Sequence, residues 1–471
     1  MEEKDFNSKT KNTMTPDLLA QLRAQVKSHP QTVTEVIDQI KAPDAAELIN
    51  ELTIEDATMI IMMLPLEEAV AIFNEPSCDR RHLILARLHT ERAADIFNHM
   101  SSDERSYVLR RLAPDFREKL IPGLPEHIKE EMRLLLQFPP TTAGGIMSTE
   151  YVRLSPDISV SEALNHIRVT GKQRLHIYSC YVLGEDNHLL GAVSLRDLVI
   201  ANPNKAVSEV MRKYPLSVHC MEDQEKVARQ LAKYNLLALP VVDEHKRVLG
   251  FVTVDDALDV IVQEQTEDVY KLGAMEAFED SYLSISILEM IKKRAGWLVI
   301  LFIGEMFTTT AMTHFQDELA KAIILSLFVP LIVSSGGNSG SQAASLVIRA
   351  LALQEAKLSD WWRVMRREIV SGLMLGTILG AVGFLRIMLW TAFKPSLYGP
   401  HYLYIGLTIF FSLIGVVLFG TLAGSMLPFI LKRLGLDPAT SSSPFVATLV
   451  DVTGIVIYFT VASVMLKGKL L

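Results

Sequence analysis

Apolar residues divide the chain into two halves of different character. Up to about residue 290, apolar side chains recur at helix or strand spacing among many charged ones, whereas five long apolar runs follow in the remainder. Each run reaches the ~20 residues that an apolar helix needs to cross a bilayer. The pattern therefore predicts a membrane domain at 295–471, whose five helices lie at roughly 295–315, 322–348, 368–392, 402–431 and 443–466.

Basic residues lie on one side of these predicted helices. They precede the first helix and fill the second and fourth loops, while the other loops hold few. Because Lys and Arg concentrate in cytoplasmic loops, we expect a multi-pass protein of the cell membrane, surrounded by lipid, with a cytoplasmic amino terminus and an outside carboxyl terminus. The polar start, MEEKDFNSKTKN, shows no apolar signal-peptide region. The basic residues are Lys292, Lys293, Arg294, Arg349, Lys357, Arg363, Arg366, Arg367, Lys432 and Arg433.

A period of 24 residues runs through the first part of the polar half. Asn50, Asn74 and Asn98 share one repeat position, each after an apolar pair. Short amphipathic helices that repeat in this way pack against their neighbours and form a solenoid. We therefore predict a helical repeat domain at 30–138, preceded by a flexible or disordered segment at 1–29. The aligned segments are 40–52, 64–76, 88–100 and 112–124.

Two copies of a different unit follow, at 139–203 and 204–262. In each copy an extended segment and a helix precede paired apolar strands, and the two copies end alike, in GAVSLRD and GFVTVDD. This pattern resembles a tandem pair of CBS domains, an α/β fold. Many CBS pairs bind adenine nucleotides such as ATP near this ending, while the Ser/Thr-x-x-Asp pattern is also typical of a helix N-cap. The nucleotide candidates are Ser194, Asp197, Thr253 and Asp256.

Acidic residues concentrate in the polar half. Residues 1–290 hold 46 acidic and 31 basic side chains, against 8 and 15 in residues 291–471. Such an acidic half excludes nucleic acid as a partner, because phosphates need dense Lys and Arg, and it suits cations. An acidic connecting helix is predicted at 263–294, directly before the membrane. The three cysteines lie far apart without a CxxC pair, which indicates neither a zinc site nor disulfides.

One charged residue interrupts the fifth apolar run. Asp451 is alone among the residues from Pro444 to Leu466, and a carboxylate at such depth costs about 2.5–3.5 kcal/mol on insertion scales. It should therefore face protein or water. Its small neighbours Ala447 and Gly454 leave room for a cation that keeps part of its water shell. A dedicated hydrogen bond between helices is the alternative.

The second and first apolar runs also contain polar groups. The second holds SSGGNSGSQ at 334–342, which membrane depth tolerates only against protein or water. Its oxygens suit a pore for a hard cation such as magnesium, although Gly/Ser-rich helices also pack closely. Glu305 is the only acid in the first run. It lines a vestibule, forms a hydrogen bond or binds a coupled ion, and the residues alone do not rank these.

The order of these parts and three motifs in the membrane half resemble the MgtE family of magnesium transporters. The motifs are PLIVSSGGNSGSQAASLVIRAL, LGLDPA and PFVATLVDVTG. The resemblance implies a mainly α multidomain membrane protein that forms a homodimer with a magnesium pore between its subunits. It assigns hydrated magnesium to Asp451 and Ala447 of the fifth helix and to Ser335, Gly336, Gly337, Asn338 and Ser345 of the second, while Ser341 stands where members often have asparagine.

The resemblance also implies regulation by the transported ion. Magnesium bound among the cytosolic domains bridges acidic groups and holds the pore shut, by binding the closed arrangement more tightly than the open one. His245 stands where the family often has an acidic residue. The matching regulatory positions are Asp243, Asp255, Glu276 and Glu279.

Other functions stay open at this point. No nucleophile with its base is recognisable, so we predict that the protein is not an enzyme, and a membrane-bound hydrolase is the remotest alternative. Another divalent cation such as cobalt or manganese is compatible with oxygen ligands. A nucleotide-sensing membrane regulator is a further alternative, but an anchor has no use for Asp451 or the SSGGNSG stretch at membrane depth.

Overall fold

The structure of the protein is a computed structural model. It describes residues 30–37, 40–171, 177–278, 282, 285–316, 318, 323–394 and 397–468. The predicted flexible segment 1–29 and the predicted ligand Glu279 lie outside these residues. The chain divides into two compact units, residues 1–264 and 265–471, which are described separately below.

The first unit begins with a solenoid of short helices. Every second helix starts 24 residues after its counterpart, at Ala42, Leu66, Thr90 and Pro114, so the predicted period is confirmed. The helices are α1 (Pro30–Ile37), α2 (Ala42–Glu51), α3 (Ile54–Met63), α4 (Leu66–Phe73), α5 (Arg81–Leu85), α6 (Thr90–His99), α7 (Ser102–Arg111), α8 (Pro114–Leu120) and α9 (Glu126–Leu135).

The repeated asparagines tie one repeat to the next. Asn50 Nδ2 donates to the Ser77 carbonyl at 2.5 Å, and Asn74 Oδ1 accepts from the Ser101 amide at 3.0 Å. Both bonds satisfy backbone groups at the same place in successive repeats, where helix ends leave amides and carbonyls without partners. The shared repeat position therefore has a structural role, and the apolar residue before each asparagine packs into a continuous core.

Two small sheets follow in the same unit, as the CBS resemblance predicts. In each, a parallel pair and an antiparallel hairpin share a central strand, in the orders β1-β2-β3-β4 and β5-β6-β7. The elements are α10 (Ala143–Ile146), β1 (Val152–Leu154), α11 (Val160–Thr170), β2 (Ser179–Leu183), β3 (Leu189–Ser194), α12 (Leu195–Ile200), α13 (Val207–Val210), β4 (Arg212–Lys213), β5 (Val218–His219), α14 (Gln224–Tyr234), β6 (Ala238–Val242) and β7 (Val248–Thr253).

The two copies interlock through a glycine and a methionine. Met147, which opens the first copy, lies against Gly250 of the second: a Cβ atom on Gly250 would be 2.9 Å from Met147 Sδ. Met211, which opens the second copy, covers Gly191 of the first in the same way. Each copy thus completes the other, and the glycines are needed for this close approach.

The connecting helix α15 (Val254–Leu272) spans the boundary between the two units, and five long apolar helices follow it. All five are long and apolar enough to cross a membrane, as predicted. The first begins at Ile287 and the third at Trp361, both seven or more residues before the predicted starts, because basic turns precede each apolar stretch. The helices are α16 (Ile287–His314), α17 (Val329–Ala352), α18 (Trp361–Phe393), α19 (Tyr402–Arg433) and α20 (Ser443–Leu466).

Glycines let the helices of the second unit touch backbone to backbone. A Cβ atom on Gly340 of α17 would lie 2.9 Å from the Gly420 carbonyl of α19, and one on Gly376 of α18 would lie 2.7 Å from Ile414 Cα of α19. Lipid gives membrane helices little hydrophobic drive to associate, so close van der Waals packing holds them together. Gly336 and Gly340 of α17 also pack against Val450 and Val446 of α20, so α17 and α20 lie side by side where the candidate site is found.

Candidate functional site

Asp451 lies where α20 meets α17. A Cβ atom on Gly337 would be 3.5 Å from Ala447 Cβ and 3.8 Å from Asp451 Oδ1. Any larger residue at position 337 would therefore fill the space beside the carboxyl group. Of the predicted pore residues, the structure brings Asp451, Ala447 and Gly337 together on this surface.

Glu305 of α16 reaches the same carboxyl group. Its side chain is hydrogen-bonded to that of Asp451. Helices α16 and α20 touch beside this pair, because a Cβ atom on Gly304 would lie 2.7 Å from Thr448 Cγ2. Of the three roles that the sequence leaves open for Glu305, the hydrogen bond is the one that the structure shows.

A polar stripe follows one face of α17. Ser334, Asn338, Gln342 and Ser345 are exposed and recur at i, i+4, i+8 and i+11, which places them along one side of the helix. Asn338 Nδ2 donates to Ser334 Oγ at 3.5 Å, and Ser345 Oγ donates to the Ser341 carbonyl at 2.9 Å. An exposed polar face on an apolar bundle needs water or protein opposite it, because lipid offers no hydrogen bonds.

Two positions of the same motif are used for packing in this structure. Gly336 is buried, and a Cβ atom on it would lie 2.7 Å from Val450 Cγ1. Ser341, at the position where an asparagine was expected, donates from Oγ to the Ser443 carbonyl at 3.2 Å. These contacts hold α17 against the first two turns of α20. A pore contact by Gly336 stays a prediction.

The first unit contains an acidic cleft of about 520 Å³ between the solenoid and the CBS pair. Carboxyl groups from the solenoid and from the CBS pair line this cleft. None of the described His, Cys, Asp and Glu side chains converge in groups of three or more that could hold a metal directly. The lining residues of the cleft are Pro43, Asn74, Glu75, Pro76, Ser77, Ser101, Asp103, Glu104, Ser148, Glu150, Thr253, Asp255, Asp256, Leu258 and Asp259.

The carboxyl groups of the cleft crowd one another. Burial, followed by the nearby Asp103, raises the pKa of Asp256 to about 7. Burial raises the pKa of Glu104 to about 8, although the Arg81 guanidinium forms an ion pair with it and opposes the shift. Burial, then Asp255, raises the pKa of Asp259. Each shift disfavours the charged carboxylate, chiefly because burial removes it from water, and neighbouring acids add to the effect.

Comparisons with known proteins agree with this arrangement. The family model "MgtE intracellular N domain" matches residues 28–141, the CBS domain model matches 143–203 and 207–263, and the model "MgtE: Divalent cation transporter" matches 329–461. The magnesium transporter MgtE of Thermus thermophilus is 39% identical over 355 residues, which are 75% of this chain and 77% of that protein. The chain belongs to the MgtE family of magnesium transporters.

Two further similar proteins are a second transporter and a solved cytosolic domain. The magnesium transporter MgtE of Enterococcus faecalis is 33% identical over 72% of each chain. The crystal structure of the cytosolic domain of the magnesium channel MgtE in complex with ATP is 33% identical and covers 52% of this chain and all of that one, with a TM-score of 0.49. The MgtE family is a family of transporters, so the prediction that the protein is not an enzyme is confirmed.

The positions predicted to be regulatory lie in different surroundings. Asp255 lines the acidic cleft. Asp243 instead closes the turn between β6 and β7: its carboxylate accepts from the His245 amide at 2.8 Å and from Arg247 Nε at 2.7 Å. Glu276 is exposed, and its amide donates to the Lys293 carbonyl at 3.4 Å. Metal binding at these positions stays a prediction.

Both Ser/Thr-x-x-Asp pairs form helix caps. Ser194 Oγ accepts from the Asp197 amide at 3.0 Å, and Thr253 Oγ1 donates to Asp256 Oδ2 at 2.6 Å. The two pairs differ in what lies beside them. Thr253 and Asp256 border the acidic cleft, whereas Ser194 lines an apolar groove together with Tyr178, Leu195, Arg196, Val199, Ile200 and Leu237.

Sequence reasoning missed the acids that the solenoid contributes to the cleft. Glu75, Asp103 and Glu104 lie on loops and helix starts of successive repeats. The repeat period gives only a partial signal, because Asp79 shares the repeat position of Asp103 but does not line the cleft. Acids at a fixed repeat position accumulate along one edge of a solenoid. Which edge meets the CBS pair depends on contacts far apart in sequence.

Proposed function

We propose that the protein carries magnesium across the membrane through a pore between two identical subunits, with Asp451 as the central ion-binding group. The observation that carries this proposal is the carboxyl group of Asp451 beside Gly337 and Ala447, next to the exposed polar stripe of α17. A second subunit that faces this stripe would enclose a polar path. Hydrated magnesium suits such a path, because it gives up its water reluctantly and binds through one or two carboxylates.

We further propose that internal magnesium closes this pore through the acidic cleft. Acids from the solenoid and from the CBS pair repel one another there, and a divalent ion offsets that repulsion most when both parts lie close together. High internal magnesium therefore favours the compact arrangement, and depletion releases it. Asp255 and Asp259 lie on the connecting helix α15, so that helix would carry the change toward the pore.

A nucleotide site fits one side of the CBS pair better than the other. The groove beside Ser194 is apolar and includes the exposed ring of Tyr178, which suits an adenine base. The cleft beside Thr253 and Asp256 is strongly acidic and would repel a triphosphate. We assign ATP, which the related cytosolic domain binds, to the Ser194 side.

The proposed orientation places the solenoid and the CBS pair in the cytoplasm and the carboxyl terminus outside. Lys292, Lys293 and Arg294 lie in the first turns of α16, and Lys432 and Arg433 end α19. Both ends would face the cytoplasm, where basic residues concentrate. Accessibility of single introduced cysteines from either side of sealed vesicles tests this orientation directly.

Magnesium flux into proteoliposomes tests the transport proposal. We expect Asp451→Asn to abolish flux, because it removes the charge while keeping the size of the side chain. Glu355→Gln, which changes an exposed acid in a loop of the same unit, should transport normally. Normal flux through Asp451→Asn would refute the pore assignment. Inclusion of cobalt or manganese as competitors separates a magnesium pore from a general divalent one.

The gating proposal is tested by the same assay with magnesium inside the vesicles. We expect Asp103→Asn combined with Asp259→Asn to raise the internal magnesium that halves flux by about tenfold, since the compact arrangement loses two charges that an ion would bridge. Asp157→Asn, an exposed acid outside the cleft, is the matched control. Unchanged inhibition in the double variant would contradict a regulatory role of the cleft.

A further inference from the structure

Glu305 lies inside the apolar stretch of α16, beside the proposed ion-binding residue Asp451. We infer that Glu305 is a second cation-binding carboxylate of the pore, so that the transported divalent ion is held between one carboxylate from α16 and one from α20. This inference rests on the proposed role of Asp451. It adds a residue on a different helix, 146 positions away in the sequence.

The contact between the two carboxyl groups is built into the helix packing. Gly304 and Thr448 touch one residue before Glu305 and three before Asp451, so the two acids are held at the same level. Gly337 places no side chain beside Asp451 Oδ1, since even a Cβ atom at this position would lie 3.8 Å from that oxygen. The space for an ion therefore borders the pair and is not filled by a neighbouring side chain at position 337.

Two carboxyl groups are a poor choice for a purely structural link between membrane helices. Like charges repel strongly where the dielectric constant is low, and an amide or a hydroxyl would join the helices without that cost. A divalent cation offsets both negative charges at once, whereas a monovalent cation offsets one. The pair thus favours divalent over monovalent ions, which a magnesium pore requires.

A further oxygen lies on the same face of α16. Thr308 follows Glu305 by three residues, which brings it to the same side of the helix. Its hydroxyl oxygen is buried and has no hydrogen-bond partner among the residues that the structure describes. Thr310 and Thr313 of the same helix differ, because each donates its hydroxyl hydrogen to a carbonyl of α16. The free hydroxyl of Thr308 is available to a water molecule of the bound ion.

The Glu305→Gln variant distinguishes a role of the Glu305 charge in ion binding from a purely structural hydrogen bond. Glutamine has nearly the same size and donates a hydrogen bond to the Asp451 carboxylate, so the helices stay joined while one charge is lost. We propose to measure magnesium uptake against external magnesium in proteoliposomes of the full chain. The variants are Glu305→Gln, Glu305→Asp, Asp451→Asn and, as a control on the same helix, the exposed Glu289→Gln.

We expect Glu305→Gln to raise the magnesium concentration for half-maximal uptake by about tenfold, with a much smaller change in maximal rate. Glu305→Asp, which keeps the charge, should restore most of the affinity, and Glu289→Gln should leave it unchanged. Unchanged half-saturation in Glu305→Gln, or a fall in maximal rate alone, would show a structural hydrogen bond and overturn the inference. If Asp451→Asn alone abolishes flux, the proposed pore still stands.

A second measurement covers the case in which Glu305→Gln does not fold. Magnesium should then raise the Tm of the detergent-solubilised natural protein more than that of Glu305→Ala, which lacks the carboxylate that holds the ion. Equal magnesium-induced shifts in Tm would overturn the inference. Normal transport by Asp451→Asn would instead refute the proposed pore on which it rests.

Discussion

Lys271, in the last turn of the connecting helix α15, lies with its Nζ atom 2.6 Å from Asp437 Oδ2 in the loop before α20. Burial lowers the pKa of Lys271, but hydrogen bonds with Asp437 and Glu267 raise it by more, so the ammonium group stays charged at neutral pH. Asp437 also accepts from the Ala439 amide at 2.9 Å and so starts the turn that leads into α20. The end of the connecting helix is thereby tied to the helix that carries Asp451.

Loss of this tie should weaken the response to internal magnesium. The Lys271→Met variant keeps an apolar side chain of similar length but loses the ion pair with Asp437. We therefore expect the internal magnesium concentration that halves flux to rise about fivefold. Flux at low internal magnesium should change little. Lys213→Met, an exposed lysine in the first unit, is the matched control. An inhibition curve that coincides with that of the natural protein would mean that the ion pair does not transmit the signal.

The glycine contacts predict that one added methyl group lowers the stability of the membrane unit. A Cβ atom on Gly340 would meet the Gly420 carbonyl, which is backbone and cannot rotate away. We expect Gly340→Ala to destabilise the membrane unit by about 1–3 kcal/mol, the usual cost of overpacking, and to lower the Tm of the detergent-solubilised protein. At Gly296 no heavy atom lies within 4 Å of the added methyl group, so Gly296→Ala should not lower the Tm. Equal Tm values for both variants would contradict the packing described here.

The buried Glu104 predicts how stability depends on pH. Its pKa is raised from the ordinary 4.5 to about 8, with burial as the largest cause. Between these values the folded chain binds more protons than the unfolded chain, so the free energy of unfolding decreases as the pH rises through this window. In magnesium-free buffer, hydrogen exchange in α7, corrected for its intrinsic rate, should be less protected at pH 8 than at pH 6.

The control for this pH effect is the same change at an exposed site. Glu104→Gln cannot ionise and should weaken the dependence, leaving the part that comes from Asp256, while Glu118→Gln should leave it as in the natural protein. Protection that increases with pH in the natural protein would show that the ion pair with Arg81 outweighs burial.

Local patterns predicted the architecture well, because they act over short distances. The 24-residue period places α2, α4, α6 and α8, since each repeat packs mainly against the next. The lone charge of Asp451 in an apolar run likewise identified the candidate pore residue. Length and apolarity were sufficient for the five membrane helices, although the starts of α16 and α18 were misplaced because basic residues form part of those helices.

Contacts between distant segments could not be predicted in this way. Nothing in the local sequence indicates that Met147 covers Gly250, that Glu305 meets Asp451 or that acids from α7 and α15 share one cleft. Each depends on how whole elements pack. The Asp243 carboxylate illustrates the same limit, because its ion pair with Arg247 within a tight turn shows only in the folded chain.

The central claim is that a hydrated divalent ion binds at Asp451 between two subunits. Anomalous X-ray scattering from crystals of the full chain grown with manganese locates such an ion directly. We predict a peak within one water layer of the Asp451 carboxylate, on the twofold axis of a dimer and facing the polar stripe of α17. A carboxylate that faces lipid, or one sealed in a dry helix contact with no peak beside it, would contradict the account.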